Sequence, residues 1–302
     1  MPTSASVAAP TRPRSTALLA TGAAAVTVVL WASAFVAIRH VGREFSPGAL
    51  ALGRLLIGSL LLAVFVLAHP GRRPSGRDWS RLLAYGVLWF GVYNVALNAA
   101  EQRVDAGTAA MLINIGPLLL ALLAGVLLGE GFPRQLVIGS VVAFAGVLVI
   151  GVASSSRAAE SWGVLLCVVA AVAYAVAVVA QKPLLGRLPA LQVTWLACMV
   201  GAISCLPAAP ALVREAAAAQ PSTIGWVIYL GAFPTAVAFT TWAYALSRTS
   251  AGRMGATTFL VPPLTIALAW LFLGETPSLL AVGGGVLCLA GVYLSRRTGR
   301  RA

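Results

Sequence analysis

Ten apolar runs of membrane-spanning or near-spanning length divide this chain, separated by short breaks that carry charge, proline or glycine. They cover Ala17 to Ile38, Pro47 to Ala68, Leu82 to Ala100, Thr108 to Leu128, Gln135 to Ala153, Trp162 to Ala180, Leu191 to Val213, Ile224 to Leu246, Met254 to Leu273 and Leu279 to Leu294. A helix that crosses a bilayer uses about 20 residues, so ten of them leave only about a third of the chain for connections and tails. A sizeable aqueous domain has no room. A soluble fold would need roughly 25% charged residues to cover its surface, and this chain has 10% charged and 60% apolar residues. Lipid offers no partner to bare backbone groups, so runs of this kind must be helical. Their Gly and Ala content suits helices that pack closely without water to drive them together. The fold class expected is an all-α integral membrane protein with ten transmembrane helices.

The formal net charge of +13 could suggest a nucleic-acid partner, but its placement alternates loop by loop. With the amino terminus cytoplasmic, one side collects fifteen basic residues, among them Arg72, Arg73, Arg77, Arg81, Lys182 and Arg296, and the other only Arg39, Arg43, Arg103, Arg157 and Arg214. By the positive-inside rule both termini then lie in the cytoplasm, and the basic balance reports topology, not nucleic acid. Arg12 and Arg14 ahead of an apolar run, followed by Ala32-Ser33-Ala34, imitate a cleavable secretory signal, but the run is long for one and its removal would spoil the duplication described next. Cys167, Cys198, Cys205 and Cys288 all fall inside predicted helices without a C-x-x-C pair, which reads as buried reduced thiols; no metal and no cofactor is expected.

The chain contains itself twice. Ala106-Gly107 matches Ala251-Gly252, Pro117 matches Pro262, Gly129-Glu130 matches Gly274-Glu275, Gly139 matches Gly284 and Gly146-Val147 matches Gly291-Val292, every pair offset by 145. Pro47 and Pro189 differ by 142, a small slip between the earlier helices. Five is odd, so the second copy enters the membrane upside down: two inverted-topology five-helix repeats, the architecture of alternating-access transporters. The division expected is a cytoplasmic tail over 1–16, a first repeat over 17–153, a linker over 154–160, a second repeat over 161–295 and a basic tail over 296–302.

Trp31-Ala-Ser-Ala-Phe35 in the first helix, Arg54 in the second, and the Pro117 to Gly129-Glu130 and Pro262 to Gly274-Glu275 segments closing the fourth and ninth, in this order and with this duplication, resemble the drug/metabolite transporter superfamily and, within it, the ten-helix EamA-type exporters. The resemblance covers nearly the whole chain. It implies export of small metabolites such as amino acids, or of drugs, through a central cavity between the halves of a protein in the cytoplasmic membrane. Some members carry a glutamate just before the second repeat's proline, where this chain has Val261, and short relatives use a glutamate in the first helix, which this one lacks. Proton coupling therefore cannot simply be carried over from the resemblance, and antiport and uniport both stay open.

The candidate substrate residues follow from both readings. Pro117 and Pro262 each remove a backbone donor and release the carbonyl four residues earlier, Ile113 and Thr258, while Asn114 lies beside the first break. Broken helices at mid-membrane either line a substrate site or are plain kinks repaired by their neighbours. Asn94, Asn98 and Glu101, spaced by four and three, share one face of the third helix; interhelical hydrogen bonding competes with substrate contact for the asparagines, and Glu101 reads as a solvated helix end. Where the family has its cavity, the aromatic candidates are Trp31, Phe35, Tyr93, Tyr174, Phe239 and Trp242, with core packing as the alternative. Arg54 lies roughly 10 Å along its helix, the only formal charge well inside any run, and is either functional, or reaches back to the outer interface, or pins neighbouring carbonyls. Glu130 and Glu275 read as structural or gating residues at mirrored helix ends.

No nucleophile with a base stands at spanning depth, both histidines fall in loops, and no phosphate-cradling loop is present, so enzyme and ATP-driven pump readings are poor. The expectation is a secondary transporter exporting small zwitterionic or neutral metabolites by alternating access. A multidrug exporter of lipophilic compounds is the alternative, and a non-transporting scaffold a third. The partners expected are a small-molecule substrate and the bilayer, with no nucleic acid; a monomer suffices.

Overall fold

The computed structural model describes residues 14–69, 71–127, 134–153, 158–249 and 251–295, and every regular element among them is helical. Glu130, residues 154–157 of the expected linker and the basic tail lie outside the described residues. Ten helical stretches follow the ten apolar runs in order. They are α1 (Arg14–Val41), α2 (Pro47–Ala68), α3 (Gly76–Glu101), α4 (Ala106–Ile113 and Gly116–Leu127), α5 (Arg134–Ala153), α6 (Ala158–Leu184), α7 (Ala190–Ser204 and Ala209–Ala218), α8 (Pro221–Arg248), α9 (Ala251–Thr257 and Val261–Leu273) and α10 (Leu279–Ser295). Helices α1, α2, α3, α6 and α8 are each long and apolar enough to cross a membrane, α7 does so as a pair of pieces bent by 53°, and the apolar parts of α4, α5, α9 and α10 are shorter. The protein is an all-α membrane protein.

Two boundaries depart from the apolar pattern for local reasons. Helix α3 begins at Gly76, ahead of Leu82, because Ser75 and Asp78 form a capping box: the backbone N–H of Asp78 donates to the Ser75 hydroxyl, and that of Ser75 donates to Oδ2 of Asp78 at 2.9 Å. Hydropathy cannot see that polar first turn. Helix α7 breaks at Cys205, where Pro207 sits in a short 3₁₀ turn over Leu206–Ala208.

The duplication is written into the packing. Wide π-helical turns interrupt α3 at Gly86–Tyr93 and α8 at Gly231–Val237, starting 145 residues apart. Each starts on a glycine pressed against a helix of the opposite half. A Cβ on Gly86 would stand 2.7 Å from the carbonyl oxygen of Ala197 in α7, and one on Gly231 would stand 2.9 Å from that of Arg54 in α2. Arg54 and Ala197 are themselves 143 apart, so the two contacts are one contact made twice. Helices α5 and α10 cross on their own equivalents: the Cys288 thiol donates to the carbonyl of Ala143, its counterpart 145 residues earlier, at 3.3 Å. Contact between equivalent positions is what a two-fold operation produces, and here it relates the two repeats. Helix α1 packs on α8 and α9, and α6 on α3 and α4. Each half therefore places its first helix in the other, and the space between α1, α3, α4, α6, α8 and α9 becomes the centre of the molecule.

Candidate substrate cleft between the repeats

Two adjoining clefts occupy that centre and share Trp31, Phe35 and Tyr93. The first is walled by Trp31 and Phe35 from α1, Trp89 and Tyr93 from α3, Tyr174 from α6, and the broken segments Ile113–Asn114–Pro117 of α4 and Thr258–Val261 of α9. The second adds Arg54 from α2, Asn94 from α3 and Phe239 from α8. The breaks in α4 and α9 are repeat equivalents, so the two-fold relation brings them to face one another across the first cleft.

The breaks differ in what they leave for a ligand. In α4 the helix stops at Ile113 and restarts at Gly116, and Pro117, in the first turn of the new piece, has no N–H to return to Ile113. Asn114 ends the first piece: its Nδ2 donates to the Ala110 carbonyl at 3.3 Å, and its buried Oδ1 has no donor among the described residues. In α9 the sequence expectation of a freed Thr258 carbonyl is corrected. A 3₁₀ turn over Thr258–Leu260 precedes Pro262, and the N–H of Val261 donates to that carbonyl. The tighter turn supplies the donor that proline removes. Thr258 reaches the cleft with its side chain, whose hydroxyl donates to Gly255 O at 2.7 Å, and Pro262 is buried behind Val261.

Aromatic rings form the wall opposite. The Trp31 centroid lies 5.9 Å from Trp89, 5.3 Å from Phe239 and 5.0 Å from Trp242, and Tyr174 meets Trp89 edge-on at 4.9 Å. These are favourable tilted and edge-to-face arrangements. Trp242 is fully buried behind the wall, where its indole N–H donates to Gln181 Oε1 at 3.3 Å, and Gln181 in turn donates to the Tyr85 hydroxyl at 2.9 Å. The Trp31 indole N–H is buried and has no acceptor among the described residues. Trp89, at the hub of the cluster, was missed from the sequence. Its signal was the stripe Tyr85, Trp89, Tyr93 at spacings of four, which marks one helix face.

Arg54 is 3% exposed and lines the second cleft. It does not reach back to the interface. Its Nε donates to the Thr235 hydroxyl at 3.0 Å, and that hydroxyl donates to Leu230 O at 2.8 Å, the carbonyl just before the π-helical turn of α8. Among the described residues no carboxylate pairs with it. Asn94 also faces the second cleft, yet its Nδ2 is spent on the carbonyls of Trp89 and Phe90, both at 3.0 Å, which the π turn of α3 has displaced from regular bonding. Asn98 lines neither cleft; its Nδ2 donates to the Pro47 carbonyl at 3.0 Å and ties α3 to the start of α2.

Beyond the second cleft the molecule is closed by ionic contacts. Arg39 Nε donates to Glu275 Oε1 at 2.9 Å, and another guanidinium N–H of Arg39 donates to the Glu101 carbonyl. At the opposite end Lys182 donates to the carbonyls of Leu246 and Thr249. Lys182 follows Arg39 by 143 residues and Leu246 follows Glu101 by 145, so the same latch from a basic side chain to the end of a helix closes both ends. Glu275 thus joins the latch at one end; its mirror, Glu130, lies outside the described residues.

Comparison with known proteins agrees with this architecture. A profile of the EamA-like transporter family matches residues 18–152 and again 161–297. A protein of Streptantibioticus cattleyicolor named as a probable terminal-alkyne amino-acid exporter is 41% identical over 280 residues, covering 91% of this chain and 93% of that protein. A probable amino-acid metabolite efflux pump of Salmonella typhimurium is 27% identical over 294 residues, covering 92% and 96%. A solved crystal structure shares the fold with a TM-score of 0.66 at 22% identity, over 92% of this chain and 96% of that one. The repeated helical architecture and the two matched segments make this chain a member of the EamA-like transporter family.

Proposed function

We propose that the protein is a secondary carrier in the cytoplasmic membrane that exports small zwitterionic metabolites, amino acids or their relatives, by alternating access. The carrying observation is the set of complementary polar groups in adjoining aromatic-walled clefts. Arg54 offers guanidinium donors to a carboxylate, Asn114 Oδ1 offers an acceptor to an ammonium, and Trp31, which lines both clefts, has an N–H without an acceptor among the described residues. Buried polar groups left unbonded by the protein are costly, and a ligand that bonds them recovers that energy. A guanidinium fork suits a carboxylate in particular. Trp31, Trp89 and Tyr174 then hold the apolar side chain. Two relatives named for amino-acid export support this substrate class. With both termini cytoplasmic, the Arg39–Glu275 contact closes the outer end and the Lys182 latch the inner end. Rocking the two-fold-related halves about the breaks in α4 and α9 would release each latch in turn.

The density of indole and phenyl rings also favours a second reading, a carrier of lipophilic cations. Efflux from proteoliposomes loaded with a panel of radiolabelled amino acids separates the two. Under the present reading an amino acid with an apolar side chain leaves fastest and excess lipophilic cation leaves its rate unchanged. Inhibition by the cations, with no amino acid transported, would favour the second reading.

A further inference from the structure

Glu101 ends α3 with 1% of its surface exposed, and neither of its carboxyl oxygens has a hydrogen-bond partner among the described residues. The sequence had read it as a solvated helix end. It is walled in because Arg39 folds over the end of α3 to reach the Glu101 carbonyl and Glu275 together. The charged and titratable groups that act on it come from every neighbouring element: Arg39 of α1, Arg54 of α2, Tyr93 of α3 itself, Asp105 ahead of α4, Cys167 of α6 and Glu275 after α9. Both cations have other contacts. Arg39 donates to Glu275 and to the Glu101 backbone, and the Nε of Arg54 is held by Thr235. Asp105 is occupied in capping α4 through the N–H and hydroxyl of Thr108 at 2.8 and 2.7 Å.

The fold contains its own control for this position. The two-fold relation places Leu246, fully buried, where the second half has its equivalent of Glu101, and Lys182 holds the Leu246 carbonyl as Arg39 holds that of Glu101. The latch therefore works with an apolar side chain, and the architecture does not require a carboxyl there. A carboxylate buried without donors suffers the full loss of its hydration, whereas the neutral acid loses far less.

Resting on the carrier reading above, we propose that Glu101 is the proton-binding site that couples export to a pH gradient. In the closed outer end the carboxyl holds a proton. When the proton leaves for water, the carboxylate left behind becomes a second anion beside Arg39 and competes with Glu275 for its guanidinium, loosening the contact that closes this end. Uptake of a proton from outside reverses the step. Asn98, one turn before Glu101 with its Oδ1 buried and without a donor among the described residues, and Asn94 in the second cleft continue the polar stripe from this site to the centre.

Two measurements test the assignment, with Glu101→Gln as an isosteric neutral replacement and Glu101→Leu as the side chain the other half already tolerates. In infrared difference spectra of the protein in lipid, an alkaline step should remove a protonated-carboxyl C=O band from the parent, and both variants should lack that change. An identical band change in the variants overturns the proposal. In proteoliposomes, acidifying the outside should accelerate parental efflux, whereas in both variants the ratio of rates with and without the gradient falls to about one. A parental ratio retained in the variants overturns the proposal as well. A parent that moves no solute under any condition counts against the carrier reading instead, and the infrared result then decides whether Glu101 binds the proton.

Discussion

Trp31 illustrates how much a single side chain does at the centre. It joins α1 to α3 and α8 through three ring contacts, all within 6 Å between centroids, and its N–H has no acceptor among the described residues. Trp31→Phe separates the two roles, since it keeps most of the ring and removes the donor. A hydrogen bond to substrate of ~1 kcal/mol predicts about a fivefold loss of efflux rate at low substrate, and Trp31→Ala, which also opens the wall, should lose at least about tenfold. Initial efflux rates from proteoliposomes of equal protein content check both; a phenylalanine variant at the parental rate would show that the indole N–H does not touch the substrate. Arg54 was legible in the sequence because a charge inside an apolar run stands out. Trp89 and Asn98 were not, because a tryptophan or an asparagine in a membrane helix has several ordinary uses. Only their neighbours show that one faces the cleft and the other fastens a helix.

At the level of elements, proline and glycine had different legibility. The breaks in α4 and α9 were announced by Pro117 and Pro262, although the 3₁₀ turn that repairs α9 could not be foreseen. The π turn of α8 holds Pro234, whereas that of α3 has no proline; both start on a glycine, Gly86 and Gly231, at which a helix of the other half comes close. Close approach also governs α5 and α10. A Cβ on Gly146 would lie 2.5 Å from Gly284 O and 2.6 Å from Cys288 N, both backbone atoms, so Gly146→Ala must push the helices apart. We expect a loss of about 1–3 kcal/mol, seen as a lower Tm in detergent. Gly22→Ala, whose Cβ would meet nothing within 4 Å among the described residues, serves as the neutral control.

The start of α8 is capped from the opposite half. Glu44, in the turn between α1 and α2, accepts from the Thr223 hydroxyl at 2.7 Å and from the Gln220 N–H at 3.0 Å. These bonds, the Thr223 hydroxyl foremost, hold its carboxyl below the usual carboxylate range. The folded state therefore binds this proton more weakly than the unfolded chain does. The stabilisation is present above the ordinary glutamate value of about 4.3 and disappears as pH falls through the lowered folded value. Thermal unfolding of parent and Glu44→Gln should differ at neutral pH and converge in acid. A gap of constant size across that range would mean that the carboxylate charge is not what caps the helix.

For the molecule as a whole, the two-fold relation makes one latch serve both ends, and Arg39–Glu275 is its reinforced copy. Both side chains are about a quarter exposed, which places the pair among partly screened ion pairs worth roughly 0–1 kcal/mol. Glu275→Ala should therefore shift the balance of open and closed outer ends only about two- to fivefold. A cysteine introduced at Ile38, in the second cleft, and reacted with an impermeant thiol reagent from outside reports it. Faster labelling in the Glu275→Ala background is expected; equal labelling would remove Glu275 from the closure of this end.

What the sequence determined unaided was the membrane environment, the ten helices and the internal duplication, because apolar length and the 145-residue echo of prolines and glycines are properties of the chain read along its own axis. It could not state which way each helix faces. A run that is apolar on every side records depth in the bilayer but no rotation about its axis, so the phase is set only when a neighbouring helix packs against it. That is why Glu101 read as a solvated end and proved buried, and why the cleft walls, the mirrored latches and the crossing of α5 on α10 belong to the tertiary structure alone.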